Sequence, residues 1–167
     1  MRKSVENIIR ALKLKKHPEG GFFRETYRSS GKIEKDNLDK KYSGFRNYST
    51  SIYFLLTSEH FSAFHRIKQD EIWHFYKGSA IHLHMISPQG QYYVQKIGSD
   101  LDQGEVPQYV VKGETWFAAE VIEQNSYTLI GCTVSPGFSF EDFELKSRNE
   151  LVALYPRHEA IICRLTN

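Results

Sequence analysis

The chain of 167 residues has the length of a single domain, 1–167, and its 40% hydrophobic and 25% charged residues exclude collagen-like, disordered and coiled-coil proteins. Its 22 basic residues nearly balance its 20 acidic ones and no basic stripe follows the chain, which argues against a nucleic-acid partner. Aromatic residues are frequent, at 14%, and favour β structure because they fit a half-buried pleated surface.

The first predicted element is an amphipathic helix over residues 4–16, with apolar residues at helical spacing and Ser4 suited to its N-cap. A Pro and Gly turn at 17–21 ends it. The next element is a strand at 22–28, on which strict alternation puts Arg24 and Arg28 on one face and Glu25 and Tyr27 on the other. Residues 29–47 are polar and charged, and we expect a long mobile loop there.

From residue 48 onward the pattern is almost entirely β. Turn signals separate short apolar runs, a spacing typical of an antiparallel sandwich or barrel. The predicted strands are 49–56, 61–67, 71–77, 80–87, 91–97, 108–111, 115–122 and 127–134. Ser147 and Glu150 stand at capping-box spacing and predict a short helix over 147–154, and residues 160–165 suit a closing strand.

Cysteine usage and hydropathy indicate a cytoplasmic protein. Cys132 and Cys163 lie in apolar runs and predict buried free thiols rather than a disulfide framework. The first residues lack an apolar signal core, and no apolar run reaches membrane-spanning length. We therefore expect a protein of a reducing compartment with no membrane partner.

Polar residues capable of chemistry concentrate in the first half of the β region. The cluster consists of His65, Glu71, His74, His82 and His84. His82 and His84 are two residues apart in an alternating strand, so they point to one face. Histidines and a carboxylate on neighbouring strands can form a metal or acid–base site, although a half-exposed strand face also tolerates histidine.

The spacing from His65 to Gly78 resembles the first motif of the cupin superfamily. His65 matches the first histidine of that motif, Glu71 its glutamate and Gly78 its last glycine, whereas Ile67 occupies the position of the second histidine. The second cupin motif, which should supply another histidine, has no counterpart before His158. Two of the four usual metal ligands are therefore absent, which predicts that a divalent metal binds weakly or not at all.

Other segments are similar to one uncharacterised cupin branch, the Cupin_5 family. The most specific is the stretch His-Pro-Glu-Gly-Gly-Phe-Phe-Arg-Glu-Thr-Tyr-Arg-Ser at 17–29, and further similar segments lie at 51–56, 64–66, 70–75 and 131–138. The resemblance implies an all-β cupin double-stranded β-helix, or jelly-roll barrel, with an N-terminal helix and a short C-terminal helix. It also implies a homodimer, and it implies no reaction, because the family is uncharacterised.

The alternation of side chains along each strand predicts which residues face the candidate site. If Glu71 faces into the barrel, Trp73 does as well and His74 faces out unless a bulge intervenes. A barrel mouth that includes Trp73 and Tyr53 would suit a flat or sugar-like ligand. Arg24, Glu25, Tyr27 and Arg28 form a polar group on the early strand, which in cupin dimers often borders the partner's cavity. This group could complete a site, with arginine binding a carboxylate or phosphate, the alternative being surface ion pairs.

Three functions remain open, and we favour the first because the second cupin motif is missing. The first is binding of a small polar metabolite around His65 and Glu71; the ligand contacts would come from Arg24, Tyr27, Trp73, His74 and His84. The second is a metal-independent sugar-nucleotide epimerase or isomerase, in which His65 would be the base, Tyr53 or Tyr27 the acid, and Glu71 a further catalytic residue. The third is a metal-dependent cupin enzyme, such as an oxygenase or isomerase, with His65, Glu71, His84 and one more residue as ligands.

Overall fold

The computed structural model describes residues 2–166, and most of its regular elements are β-strands. Met1 and Asn167, the first and last residues of the predicted domain, lie outside the described residues. The helices are α1 (Arg2–Leu12), α2 (Arg148–Leu154) and α3 (Glu159–Arg164). The strands are β1 (Lys15–Lys16), β2 (Phe22–Arg28), β3 (Lys32–Ile33), β4 (Arg46–Asn47), β5 (Thr50–Thr57), β6 (Phe61–Arg66), β7 (Asp70–Gly78), β8 (Ile81–Ile86), β9 (Tyr92–Ile97), β10 (Gln108–Val111), β11 (Trp116–Val121), β12 (Tyr127–Ser135) and β13 (Glu144–Leu145).

Two antiparallel sheets form a jelly-roll barrel, as predicted. The first sheet has the strand order β1-β2-β5-β12-β7-β10 and the second β13-β6-β11-β8-β9, while β3 and β4 form a separate ribbon. Strands distant in sequence are neighbours in space, since β5 pairs with β12 and β12 with β7. No helix within residues 2–166 is both long and apolar enough to cross a membrane.

Three apolar clusters hold these layers together. The largest lies between the sheets, where Phe54 and Trp73 of the first sheet pack with Leu83, Met85 and Phe117 of the second. A second cluster covers the outer face of the second sheet with α2 and α3, and a third covers the outer face of the first sheet with α1. Part of each sheet is therefore apolar on both faces, so the alternation of apolar and polar residues along its strands is weak there.

The N-terminal helix differs from its predicted bounds at both ends. It begins before Ser4, so that residue lies inside α1 and is not its N-cap. It ends at Leu12 because Lys13 takes a left-handed conformation, with φ of 53°, and the chain then turns back. Lys15 and Lys16, predicted as helical, pair with Phe23 and Phe22 as β1. The buried Leu14 fixes this reversal by packing with the helix on the first sheet.

The segment 29–47, predicted as a mobile loop, is anchored to the barrel. It contains β3, one turn of 3-10 helix at Lys35–Asn37 and β4. Arg46 of β4 is buried and donates two hydrogen bonds to Asp142, at 2.6 and 2.7 Å. The sequence pattern missed this anchor because the partner carboxylate lies 96 residues away.

The C-terminal region contains one confirmed helix and one wrong prediction. Ser147 and Glu150 form the predicted capping box at the start of α2. Residues 160–165, predicted as a strand, lie instead in or next to α3. Ile162 and Leu165, three residues apart, pack with Leu151 against the outer face of the second sheet. A short apolar run suits a buried helix as well as a strand, and only its packing surface distinguishes them.

Candidate functional site

A cavity of about 510 Å³ lies inside the barrel, where β2, β5, β7 and β12 approach residues 137–143. Apolar atoms form the larger part of its surface, although about half of the lining residues are polar or charged. The apolar residues include Phe23, Ile52, Phe54, Ile67, Val134 and Phe143. Its buried or largely buried polar residues are His17, Glu19, Arg46, Thr50, His65, Glu71, Trp73 and Cys132. A pocket of this size with a few convergent polar groups is typical of a small-molecule site.

A buried ion pair between His65 and Glu19 lies at the centre of the polar group. His65 Nε2 is 2.9 Å from Glu19 Oε2, and both side chains are less than a tenth exposed. Ser62 Oγ donates to the other carboxylate oxygen at 2.9 Å. The His65 ring lies between Phe117 and Phe143, with centroids 4.1 and 5.4 Å away. The ring is therefore fixed in position and shielded from water.

The hydrogen bonds of His65 determine its charge. Nδ1 lies 2.7 Å from the carbonyl oxygen of Ala63 and Nε2 faces Glu19, so both ring nitrogens meet acceptors. Burial alone would lower the pKa of His65, but the Glu19 carboxylate outweighs it and the pKa is raised. Burial would likewise raise the pKa of Glu19, and His65 lowers it instead. Both shifts favour the pair of imidazolium and carboxylate, and in this form His65 has no free lone pair to act as a base or metal ligand.

The turn before β2 positions Glu19. Its carbonyl oxygen accepts a hydrogen bond from Ala63 N at 2.8 Å, which attaches the turn to β6. Gly20 has φ of 117°, and a Cβ atom there would stand 2.1 Å from the Phe61 carbonyl oxygen. Only glycine allows this close approach. The Pro and Gly residues that end the predicted helix therefore bring Glu19 to His65.

Glu71 is the carboxyl group of the cavity that has no ion-pair partner among residues 2–166. It lies on β7 and is 8% exposed. Burial raises the pKa of its carboxyl to about 7, and the positive charge of His65 opposes this rise. The Trp73 indole N–H and the Cys132 thiol lie beside it, and burial raises the pKa of that thiol well above its ordinary value. Glu71 can therefore hold or release a proton near neutral pH.

A β-bulge determines which residues of β2 reach the cavity. Glu25 pairs with Ile52, but the next pair joins Tyr27 to Ser51, so Thr26 is an extra residue that reverses the alternation beyond it. As a result Glu25 and Arg28 both line the cavity. They form a bidentate ion pair with distances of 2.7 and 2.9 Å.

Comparisons with known proteins identify the family of this barrel. The family model described as Cupin_5, cupin superfamily (DUF985), matches residues 6–146. The chain belongs to that family. An uncharacterized protein of Saccharomyces cerevisiae is 35% identical over 158 residues, which cover 89% of this chain and 78% of the yeast protein.

Solved structures show the same family resemblance. A protein from Shewanella oneidensis has a TM-score of 0.86 and 40% identity, over 97% of this chain and 96% of that one. An oxalate decarboxylase from Bacillus subtilis matches 90% of this chain and 36% of its own, with a TM-score of 0.54 at 11% identity. At that identity the likeness concerns the cupin fold alone.

Three of the predicted site residues lie outside the cavity of this cupin barrel. Tyr53 faces the outer side of the first sheet, where it packs with the α1 cluster and meets Tyr76 edge-on at 6.0 Å. Arg24 lies over the Tyr53 ring on the same side, at 5.8 Å. Tyr27, beyond the bulge, is 55% exposed. The structure therefore does not bring a tyrosine acid or an Arg24 subsite to His65.

The predicted histidine ligands are also separated from His65 and Glu71. His74 faces outward on β7, between Thr133 and Gln108, as parity predicts in the absence of a bulge. His84 lies on the outer face of the second sheet, because its neighbours Leu83 and Met85 fill the space between the sheets. Its ring nitrogens contact Tyr92 and Glu120. His65, Glu71 and His84 therefore cannot share one metal ion.

The cavity residues do not fit the metal that the cupin fold implies. The first motif supplies His65, whose nitrogens both face acceptors, and Ile67, which is 3% exposed and apolar. Within residues 2–166, the one group of three close metal-ligand atoms lies on the outer sheet face, at His82, His84 and Glu120. Among the described residues, the barrel cavity therefore lacks the ligand set of a cupin metal site.

Sequence reasoning missed Glu19 and Arg46 as cavity residues, and of the polar group Arg24, Glu25, Tyr27 and Arg28 only Glu25 and Arg28 line the cavity. Glu19 stands in a turn signal, where carboxylates are ordinarily solvated. A hint was present, since a Pro-Glu-Gly-Gly turn permits a close approach to another strand. Arg28 was assigned to the wrong face because the bulge at Thr26 leaves no mark in the alternation pattern.

Proposed function

We propose that this cupin binds a small molecule in the barrel cavity, with a flat apolar part against the aromatic wall and a polar end at Glu71. The observation that carries the proposal is a 510 Å³ apolar cavity containing one buried carboxyl whose pKa is about 7. Pockets that combine an apolar wall with few polar groups orient a ligand by its polar end.

The charges lining the cavity favour a neutral or cationic ligand over an anionic one. Glu19 and His65 neutralise each other, and burial lowers the pKa of His17, which keeps it uncharged near neutral pH. The arginines are paired as well: Arg28 with Glu25, and Arg46 with Asp142, which Lys68 also contacts, and with the cavity-lining Glu141. Glu71 then decides the net charge, which becomes negative as that carboxyl ionises.

Three probes that share one benzene ring test this preference: benzamide, benzylamine and benzoate. We expect benzoate to bind at least about tenfold more weakly than the other two at pH 8, where Glu71 is ionised, and Glu71→Gln to remove this difference. Trp116→Phe leaves Trp73 in the cavity as the sole tryptophan, so its fluorescence reports binding. The matched variant Trp73→Phe leaves Trp116 on the outer face of the second sheet and should show no change.

Equal binding of the three probes at pH 8 would contradict the charge argument. An equal fluorescence response from Trp73→Phe would place the binding outside the cavity and would contradict the proposed site.

Proton transfer by Glu71 is a second candidate function. A carboxyl with a pKa of about 7 exchanges protons efficiently at neutral pH, and acid–base catalysis of this kind contributes roughly 100- to 10,000-fold in rate. In an isomerase or epimerase, the carboxylate would take a proton from a carbon next to a carbonyl group and return it. Glu71 would then be the base of the reaction, the role that the sequence suggested for His65.

Deuterium uptake from D₂O tests this second function. For a bound ligand with an acidic C–H group, we expect exchange detected by NMR to be at least about 100-fold slower in Glu71→Gln. Trp116→Phe serves as a control because it alters a buried residue away from the cavity. Unchanged exchange in Glu71→Gln would exclude Glu71 as the proton carrier while leaving the binding proposal intact.

A further inference from the structure

A second group of chemically competent residues lies outside the cavity, on the outer face of the second sheet. His82 and His84 alternate on β8 and share this face, and Glu120 of β11 is the register partner of His82. Cross-strand partners have neighbouring side chains. The ligand atoms of the three residues all lie within 4.8 Å of one another.

We propose that His82, His84 and Glu120 bind a divalent transition-metal ion of the zinc class. Zinc binds imidazole nitrogens and carboxylate oxygens at about 2.0–2.1 Å, and in a tetrahedral site this places neighbouring ligand atoms about 3.3 Å apart. His84 Nε2 and Glu120 Oε1 are 3.1 Å apart, so this pair needs little adjustment. His82 is half-buried and able to turn towards them.

The surroundings of the pair resemble the supporting contacts of metal sites. Tyr92 Oη lies 2.8 Å from His84 Nδ1, which fixes the ring and lets the remaining proton stay on that nitrogen when Nε2 binds the ion. Arg164 donates to Glu120 Oε2 and leaves Oε1 directed towards His84. The ion would thus take the place between Nε2 and Oε1, and the single proton of the neutral His84 ring would lie on Nδ1, opposite Tyr92.

Nearby positive charges set the expected strength of binding. Arg164 contacts the carboxylate, and Lys96 of β9 is the register partner of His82. Three protein ligands in a partly exposed site beside two cations should bind zinc in the micromolar range, more weakly than four-ligand structural sites. One coordination position stays open for water or an exogenous ligand.

Calorimetric titration of the full, untagged and chelator-treated chain with Zn²⁺ tests the site. We expect about one ion per chain, with at least tenfold weaker binding in both His82→Gln and His84→Gln. His74→Gln is the matched control, because His74 is a half-buried histidine on the outer face of the first sheet. His82→Gln is the deciding variant, since the half-buried position of His82 leaves folding undisturbed, as circular dichroism will verify.

Absence of zinc uptake by the wild-type chain would overturn the proposal, and so would unchanged affinity in His82→Gln. In that case the cluster is only a structural hydrogen-bond network that joins β8 and β11 to α3. Because the cluster lies on the opposite face of the sheet from the cavity, neither result alters the case for ligand binding at Glu71.

Discussion

Replacement of Glu71 by glutamine is expected to stabilise the protein above neutral pH. The pKa of Glu71 is about 7 in the folded chain and 4.5 in its ordinary state. Between these values the folded chain holds a proton that the unfolded chain has released, so the free energy of unfolding falls as the pH rises through this window. The difference of about 2.5 pKa units corresponds to about 3 kcal/mol. Glutamine resembles the protonated acid and does not suffer this loss.

Chemical denaturation at pH 4 and pH 8 measures the effect. The unfolding free energy of Glu71→Gln minus that of wild type should be about 3 kcal/mol larger at pH 8 than at pH 4. Glu123→Gln removes an exposed carboxylate and should leave the difference independent of pH. Parallel pH curves for Glu71→Gln and wild type would show that Glu71 is ionised normally in the folded chain. That result would remove the basis of both functions proposed for it.

The barrel could be predicted from the sequence because period-two patterns and turn residues mark strands locally. Strand 108–111 has the predicted bounds, and the alternation on β7 correctly puts Trp73 with Glu71 and His74 on the other face. Alternation alone does not say which face of a strand is the interior. Tyr53 shows why: α1 covers the outer face of the first sheet, so β5 is apolar on both faces and its parity is ambiguous.

The chemistry of the site was less predictable because it depends on contacts that no local pattern records. The bulge at Thr26 exchanges Tyr27 for Arg28 at the cavity without changing the residue pattern. The charge state of His65 depends on Glu19, which lies 46 positions earlier in a turn. The cupin spacing identified the histidine that lies in the cavity. Contact with Glu19 raises the pKa of that histidine and favours its cationic form. The group able to exchange a proton near neutral pH is then Glu71, with a pKa of about 7.

Removal of the imidazolium partner of Glu19 should produce the largest loss of stability. His65→Gln leaves a buried carboxylate with Ser62 as its remaining close hydrogen-bond partner, and breaking a buried pair in this way costs about 3–5 kcal/mol. Neutralising both partners in the double variant Glu19→Gln, His65→Gln should recover part of this loss, because two amides can hydrogen-bond without charge. Equilibrium denaturation of the wild type, the two single variants and the double variant gives the coupling energy.

The pH dependence separates this ion pair from simple packing of the ring between Phe117 and Phe143. The raised pKa of His65 adds stability that is complete below 6.5 and is lost as the pH rises through its folded value. The lowered pKa of Glu19 adds stability that is present above 4.5 and is lost as the pH falls through its folded value. The penalty of His65→Gln should therefore be greatest near pH 5–6 and shrink in alkaline solution, whereas His60→Gln, an exposed control, should show no such maximum. A penalty that does not vary with pH would mean that His65 contributes by packing alone, and the cavity would then lack the cation that balances Glu19.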